Sequence, residues 1–138
     1  MRPYELIDHT ADLGIAVTAE NIADLFESAA HAMFDQIIDR AALSGAMKEI
    51  ITAAGIDKAD LMINWLRELL FFWNGRERLV KRVQVEQIRD ARIRASLWHD
   101  PYDPDAHEIL SDIKAVTYHG IKVKKSNGRW TATIIFDV

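Results

Sequence analysis

The 138-residue sequence predicts an α+β fold: two main helices packed on one face of a mostly antiparallel β-sheet, in a single compact domain over 1–138. Three observations predict it. Two segments place apolar residues at the three-and-four spacing of a helix, and the remaining ordered-looking segments are short β-branched or alternating runs. An Asn127-Gly128 pair joins the last two of those runs, as in a tight hairpin.

In chain order, residues 4–7 and 13–18 are short strand-like runs, the second feeding directly into a helix over 21–39. In that helix Ile22, Leu25, Phe26, Ala29, Ala30, Met33, Phe34 and Ile37 form one buried stripe, and Asn21 is the expected N-cap. Residues 49–54 form another strand. A second helix over 58–73 follows, capped by Asp57, with Leu61, Met62, Trp65, Leu66, Leu69 and Leu70 as its stripe and Gly75 as its stop. The apolar run Leu69 to Trp73 encircles the helix end, which favours burial on two sides over an exposed partner-binding patch.

Further on, Ala91, Ile93, Ala95 and Leu97 alternate with Arg92, Arg94 and Ser96, predicting a half-buried strand. Val83 and Val85 mark its hairpin partner. The Asn127-Gly128 turn then sets the register between 121–125 and 129–137, so that Trp130, Ala132, Ile134 and Phe136 share one face. Thr131, Thr133, Ile135 and Asp137 take the other. Residues 39–45 and 100–105 are the loop-like stretches.

Composition narrows the functional classes. Without cysteine there are no disulfides, thiolate zinc sites or cysteine nucleophiles, and the chain is compatible with a reducing cytoplasm, its expected location. The longest wholly apolar run is 69–73, far short of the roughly 20 residues of a membrane span, so no membrane role is expected. A net charge of −4 argues against a domain whose main affinity comes from neutralising phosphates. The basic stretch from Arg76 to Arg94 and the Lys122, Lys124 and Lys125 cluster read as solvated sheet faces, with no aromatics interleaved as stacking platforms. The glycines are scattered, so no phosphate-cradling loop is expected, and no serine lies in a GxSxG setting.

The most direct pointer to chemistry is a pair of aspartates near opposite chain ends. Asp12 closes the segment His9-Thr10-Ala11-Asp12, and Asp137 precedes Val138. Two carboxylates and the terminal carboxylate of Val138 offer about six oxygens, the donor type that Ca²⁺ or Mg²⁺ requires. Residue chemistry alone favours the plainer reading, a turn-capping Asp12 and a solvated Asp137, over a metal site. The segment from Trp98 to Glu108 is also rich in His and Asp, but its prolines favour an inter-strand turn over a metal loop.

Five pieces in order resemble the archease family across nearly the whole chain. They are Asp8-His9-Thr10-Ala11-Asp12 with Gly14-Ile15; Asp24-Leu25-Phe26-Glu27-Ser28-Ala29-Ala30; Asn64-Trp65-Leu66-Arg67-Glu68-Leu69-Leu70; the stretch 113–120; and Ile135-Phe136-Asp137-Val138. The resemblance implies a small α+β protein that is not itself an enzyme. It implies an activator of the RtcB-type tRNA-splicing RNA ligase, promoting its guanylylation and multiple turnover, with RNA met through the ligase. It further implies a divalent cation, Ca²⁺ first and Mg²⁺ or Mn²⁺ as alternatives, held by Asp12, Asp137 and Val138. Lys114 matches a lysine of the family's segment and becomes a further functional candidate. The competing expectations are a stand-alone metal-dependent enzyme acting on RNA ends or nucleotide phosphates, built from Asp12, Asp137 and the loop from His99 to His107, and a general folding chaperone.

Overall fold

The structure is a computed structural model and describes residues 3–9 and 12–138, the side chains of Asp8 and His9 excepted. Both helices start where the caps place them. In α1, Ile22–Ile37, the Asn21 side chain accepts a hydrogen bond from the Asp24 N–H at 2.8 Å. In α2, Lys58–Asn74, Asp57 does the same for the Asp60 N–H at 2.8 Å. Each cap satisfies one of the N–H groups that a helix start leaves without an internal partner.

The antiparallel strands form two sheets rather than the one expected. In the first, β1 (Tyr4–His9), β2 (Asp12–Ala19), β7 (Arg129–Asp137) and β6 (Ala115–Ser126) lie in the order β1-β2-β7-β6. In the second, β3 (Met47–Ala54), β5 (Arg92–Pro101) and β4 (Arg78–Arg89) lie in the order β3-β5-β4. The helices account for the division. Helix α1 packs against β2 of one sheet and β4 of the other, and α2 packs against β6 of one and β3 and β4 of the other. Each helix therefore buries residues beyond one stripe: Ala32 in α1 and Ile63 and Phe72 in α2 are as inaccessible as their predicted core neighbours. Two-sided burial at the end of α2 holds for Leu69, Leu70 and Phe72, while Phe71 projects into solvent at 57 % exposure.

The final hairpin has the expected register, with Ser126 opposite Arg129 and positive φ at both Asn127 and Gly128. Ala132, Ile134 and Phe136 enter the core from it. The β4–β5 hairpin is tighter than the alternation suggests. Asp90 and Ala91 both take positive φ, so Ala91 belongs to the turn and the strand begins at Arg92. Asp90 is a residue that tolerates the left-handed region, but Ala91 carries none of the chemistry that marks such a turn, so the pair does not read as one.

Candidate functional site

Antiparallel pairing of β2 with β7 makes the start of one strand meet the end of the other. Asp12 consequently lies directly across the ladder from Asp137, although 124 residues separate them in sequence. On the other side of β7, Ala115 pairs with Asp137, and the Lys114 N–H donates to the Asp137 carbonyl at 2.8 Å. One end of the first sheet thus gathers Asp12, Asp137 and the backbone of Lys114, with Val138 next in the chain. Thr10 and Ala11 lie outside the described residues.

Helix α2 fixes this end from behind. Asn74 donates through Nδ2 to the Lys114 carbonyl at 3.2 Å, and Trp73 donates through Nε1 to Asp112 at 3.1 Å. Arg67 donates through Nε and Nη2 to the Val116 carbonyl at 3.2 and 3.1 Å. These three anchors were not singled out from the sequence. Arg67 lies beside the apolar stripe of α2 within the Asn64 to Leu70 segment, and Trp73 and Asn74 at the helix end carried no sequence signal for this role. Beyond the anchored start, the ladder between β6 and β7 breaks between Thr117 and Lys122, where Gly120 takes a φ of 66°. This excursion carries Tyr118 toward α2, where its hydroxyl donates to Asp60 at 2.8 Å and its ring lies 4.7 Å from the Arg67 guanidinium.

The donor set suits a hard cation. Like charges directly across an antiparallel pair repel, and a divalent ion between carboxylate oxygens removes that repulsion. Asp137 is exposed and Asp12 is partly buried, so the paired carboxylates lie at the sheet's accessible end. Among the described residues, no three His, Cys, Asp or Glu side chains gather as a metal-binding group.

In the segment from His99 to His107, the side chains of His99, Asp100, Asp103 and His107 each hold a hydrogen bond to a neighbour. His99 is buried, its Nδ1 accepting from Arg78 Nε at 2.6 Å and its Nε2 lying 3.3 Å from Glu49 Oε1. Burial and then the Arg78 charge hold this imidazole below its usual pKa. Asp100 accepts from Ser44 Oγ at 2.7 Å and from the Gly45 and Ala46 N–H groups at 2.7 and 3.1 Å. Burial alone would raise its carboxyl, but these hydrogen bonds together outweigh it and hold the group below the ordinary aspartate range. Asp103 and His107 close a turn on one another, the Asp103 N–H donating to His107 Nδ1 at 3.0 Å. The loop is a braced connection, as its prolines suggest, and these bonds disfavour it as half of an independent catalytic centre.

The sequence profile of the Archease protein family matches residues 4–138. The chain belongs to the archease family. It is 36% identical to the protein archease of Methanopyrus kandleri, with 99% of each chain covered. It is 34% identical to the protein archease of Methanosarcina mazei, covering 99% of this chain and 97% of the relative. Among solved structures, Methanobacterium thermoautotrophicum protein 1598 superimposes with a TM-score of 0.80 at 25% identity, covering 100% of both chains. A Thermotoga maritima protein described as an archease and possible chaperone superimposes with a TM-score of 0.64 at 15% identity, covering 96% of this chain and 94% of that one. Both share the arrangement of two helices packed against antiparallel sheets. No helix of this archease, among the described residues, is long and apolar enough to cross a membrane.

Proposed function

We propose that this archease is an activating partner of an RtcB-type RNA ligase, promoting its guanylylation and repeated turnover without being a catalyst itself. The observation that carries the reading is the juxtaposition of Asp12 with Asp137 at one sheet end, beside Lys114, in a chain of this family. The carboxylates of Asp12, Asp137 and Val138 would hold a divalent cation, with Ca²⁺ the first candidate and Mg²⁺ or Mn²⁺ accepted by the same oxygens. When bound, the cation supplies positive charge that stabilises phosphate oxygens.

The chain's own residues supply position. The β-ladder fixes the two aspartates opposite each other, and Asn74 and Arg67 hold the strand that carries Lys114 against α2. Lys114 is exposed, so its ammonium is available to an anionic group brought to this end by the partner. The proposed contact is with the ligase protein, and no membrane enters this activity.

The test is single-turnover guanylylation of the ligase, with calcium affinity measured separately by calorimetry. Asp12→Ala and Asp137→Ala should each abolish most of the stimulation while leaving the far-UV spectrum unchanged. Extending the chain beyond Val138 should weaken calcium binding, and the same extension before Met1 should not. Full stimulation by folded Asp12→Ala and Asp137→Ala proteins would sink the proposal.

A further inference from the structure

The outward face of the second sheet has a composition that the sequence reading did not assemble. Along β5, Arg92, Arg94, Ser96 and Trp98 point one way, while Ile93, Ala95 and Leu97 point into the core. Their ladder partners share that outward face: Lys48 and Arg82 flank Trp98, and Arg89 flanks Arg92. Trp98 is therefore interleaved with cations, contrary to the expectation that the basic stretch lacks aromatics. The Arg82 guanidinium lies 3.5 Å from the Trp98 ring centroid, and the Lys48 ammonium 5.5 Å from it.

Arg82, Arg89 and Arg92 have no carboxylate within ion-pair distance among the described residues. Of the acidic groups near them, Glu86 is engaged by the Ser96 hydroxyl and by Arg94 at 3.4 Å, while Asp90 lies in the hairpin turn between Arg89 and Arg92. At the hairpin end the face opens into a groove of about 860 Å³, where Arg89, Arg92 and Arg94 meet Arg67 of α2, four cations against the two carboxylates Glu68 and Asp90. From Trp98 to Arg92 the strand spans roughly 20 Å. The chain's net charge of −4 is thus unevenly distributed, with cations concentrated on one solvent face.

We infer that this face is a binding surface for single-stranded RNA, whose bases stack at Trp98 and Arg82 and whose phosphates run along Arg94, Arg92 and Arg89 into the groove. Single-stranded RNA is recognised by stacking on aromatic rings and guanidinium planes, often across an open β-sheet, while cations track the backbone. An acidic protein surface would use the cations but not the ring. Arginine also predominates over lysine here, which favours phosphate geometry and stacking over simple charge pairing. The inference is independent of the ligase reading, because the binding belongs to this chain alone.

The experiment is fluorescence anisotropy of the full chain with a labelled 12-nucleotide single-stranded RNA at 50 and 200 mM salt, with inorganic polyphosphate and polyglutamate as competitors. RNA should bind at low salt and weaken steeply at the higher salt as counterions return to the phosphates. Arg89→Glu with Arg92→Glu should lower affinity at least about tenfold and flatten the salt dependence. Trp98→Phe should retain RNA binding. Trp98→Leu should weaken it severalfold without changing affinity for polyphosphate. Lys122→Glu with Lys124→Glu, on the other sheet, is the control and should change RNA affinity less than twofold. Parent-like RNA affinity in a folded Arg89→Glu/Arg92→Glu protein overturns the inference. Equal loss of RNA and polyphosphate in Trp98→Leu also overturns it, leaving a general anion patch, and polyglutamate competing as well as RNA reassigns the face to an acidic protein.

Discussion

Asp12 and Asp137 show what single residues can and cannot disclose. Their oxygen chemistry is legible in isolation, but their adjacency depends on pairing between strands at opposite ends of the chain, which no local pattern specifies. Gly14 illustrates a complementary constraint. A Cβ built there would lie 2.9 Å from the Ile7 Cβ and 3.0 Å from the Ile135 Cδ1, because those side chains close over the glycine from the strands on either side. The Ile135 methyl can swing aside, but the Ile7 Cβ is fixed to the backbone. Gly14→Ala should therefore cost about 1–3 kcal/mol by overpacking. It should also loosen the β1–β2 pairing two residues from Asp12. Urea unfolding measures the first effect and amide exchange of β1 the second; a midpoint equal to that of the parent would show that the strands yield without cost.

At the scale of elements, α1 covers an open sheet edge. Strand β4 ends its sheet, and its outward N–H groups would otherwise be available to a foreign strand. Val85 N–H donates to Glu27 Oε1 at 2.7 Å, and Val83 N–H donates to His31 Nε2 at 3.0 Å, so two residues one helical turn apart cap the edge. Burial, assisted by the Arg40 charge, pulls the His31 pKa down to about 4, and Asp35 only partly opposes this. The unfolded chain takes up this proton near pH 6.5 and the folded chain only near 4. The stabilisation is therefore complete above about pH 6.5 and is lost as pH falls toward 4. Its size is on the order of 2 kcal/mol after allowance for the partial exposure of the ring. His31→Gln retains an acceptor but cannot titrate. It should show a smaller loss of stability between pH 7 and pH 4.5 than the parent, read as the shift in urea midpoint; identical shifts would assign the acid sensitivity elsewhere. The edge cap was not legible in the sequence, because Glu27 and His31 read only as the polar flank of an amphipathic helix. The helices were legible because their stripes and caps are local. The last hairpin was legible because Asn-Gly has few alternative conformations.

For the whole molecule, the separation into two sheets follows from helices that are apolar on more than one side. In the sequence, the encircling apolar run at 69–73 is a local feature of one helix end. Its larger meaning is that α2 is a shared wall between sheets whose outer faces carry different chemistry. Trp65 is central to that wall. It is fully buried, and its Nε1 donates at 3.0 Å to the Phe26 carbonyl of α1, joining the helices on which both sheets pack. The buried side chains form one continuous cluster drawn from both sheets and both helices. A defect at Trp65 should therefore be felt on both sides. Trp65→Ala should cost about 3–5 kcal/mol. Native-state hydrogen exchange should show that cost in the slowest amides of β7 in the first sheet and β5 in the second to the same extent, because one cooperative opening exposes both. If β7 kept its parental protection while β5 lost several kcal/mol, the sheets would be separate folding units, and the acidic end of one could not rely on the other for its rigidity.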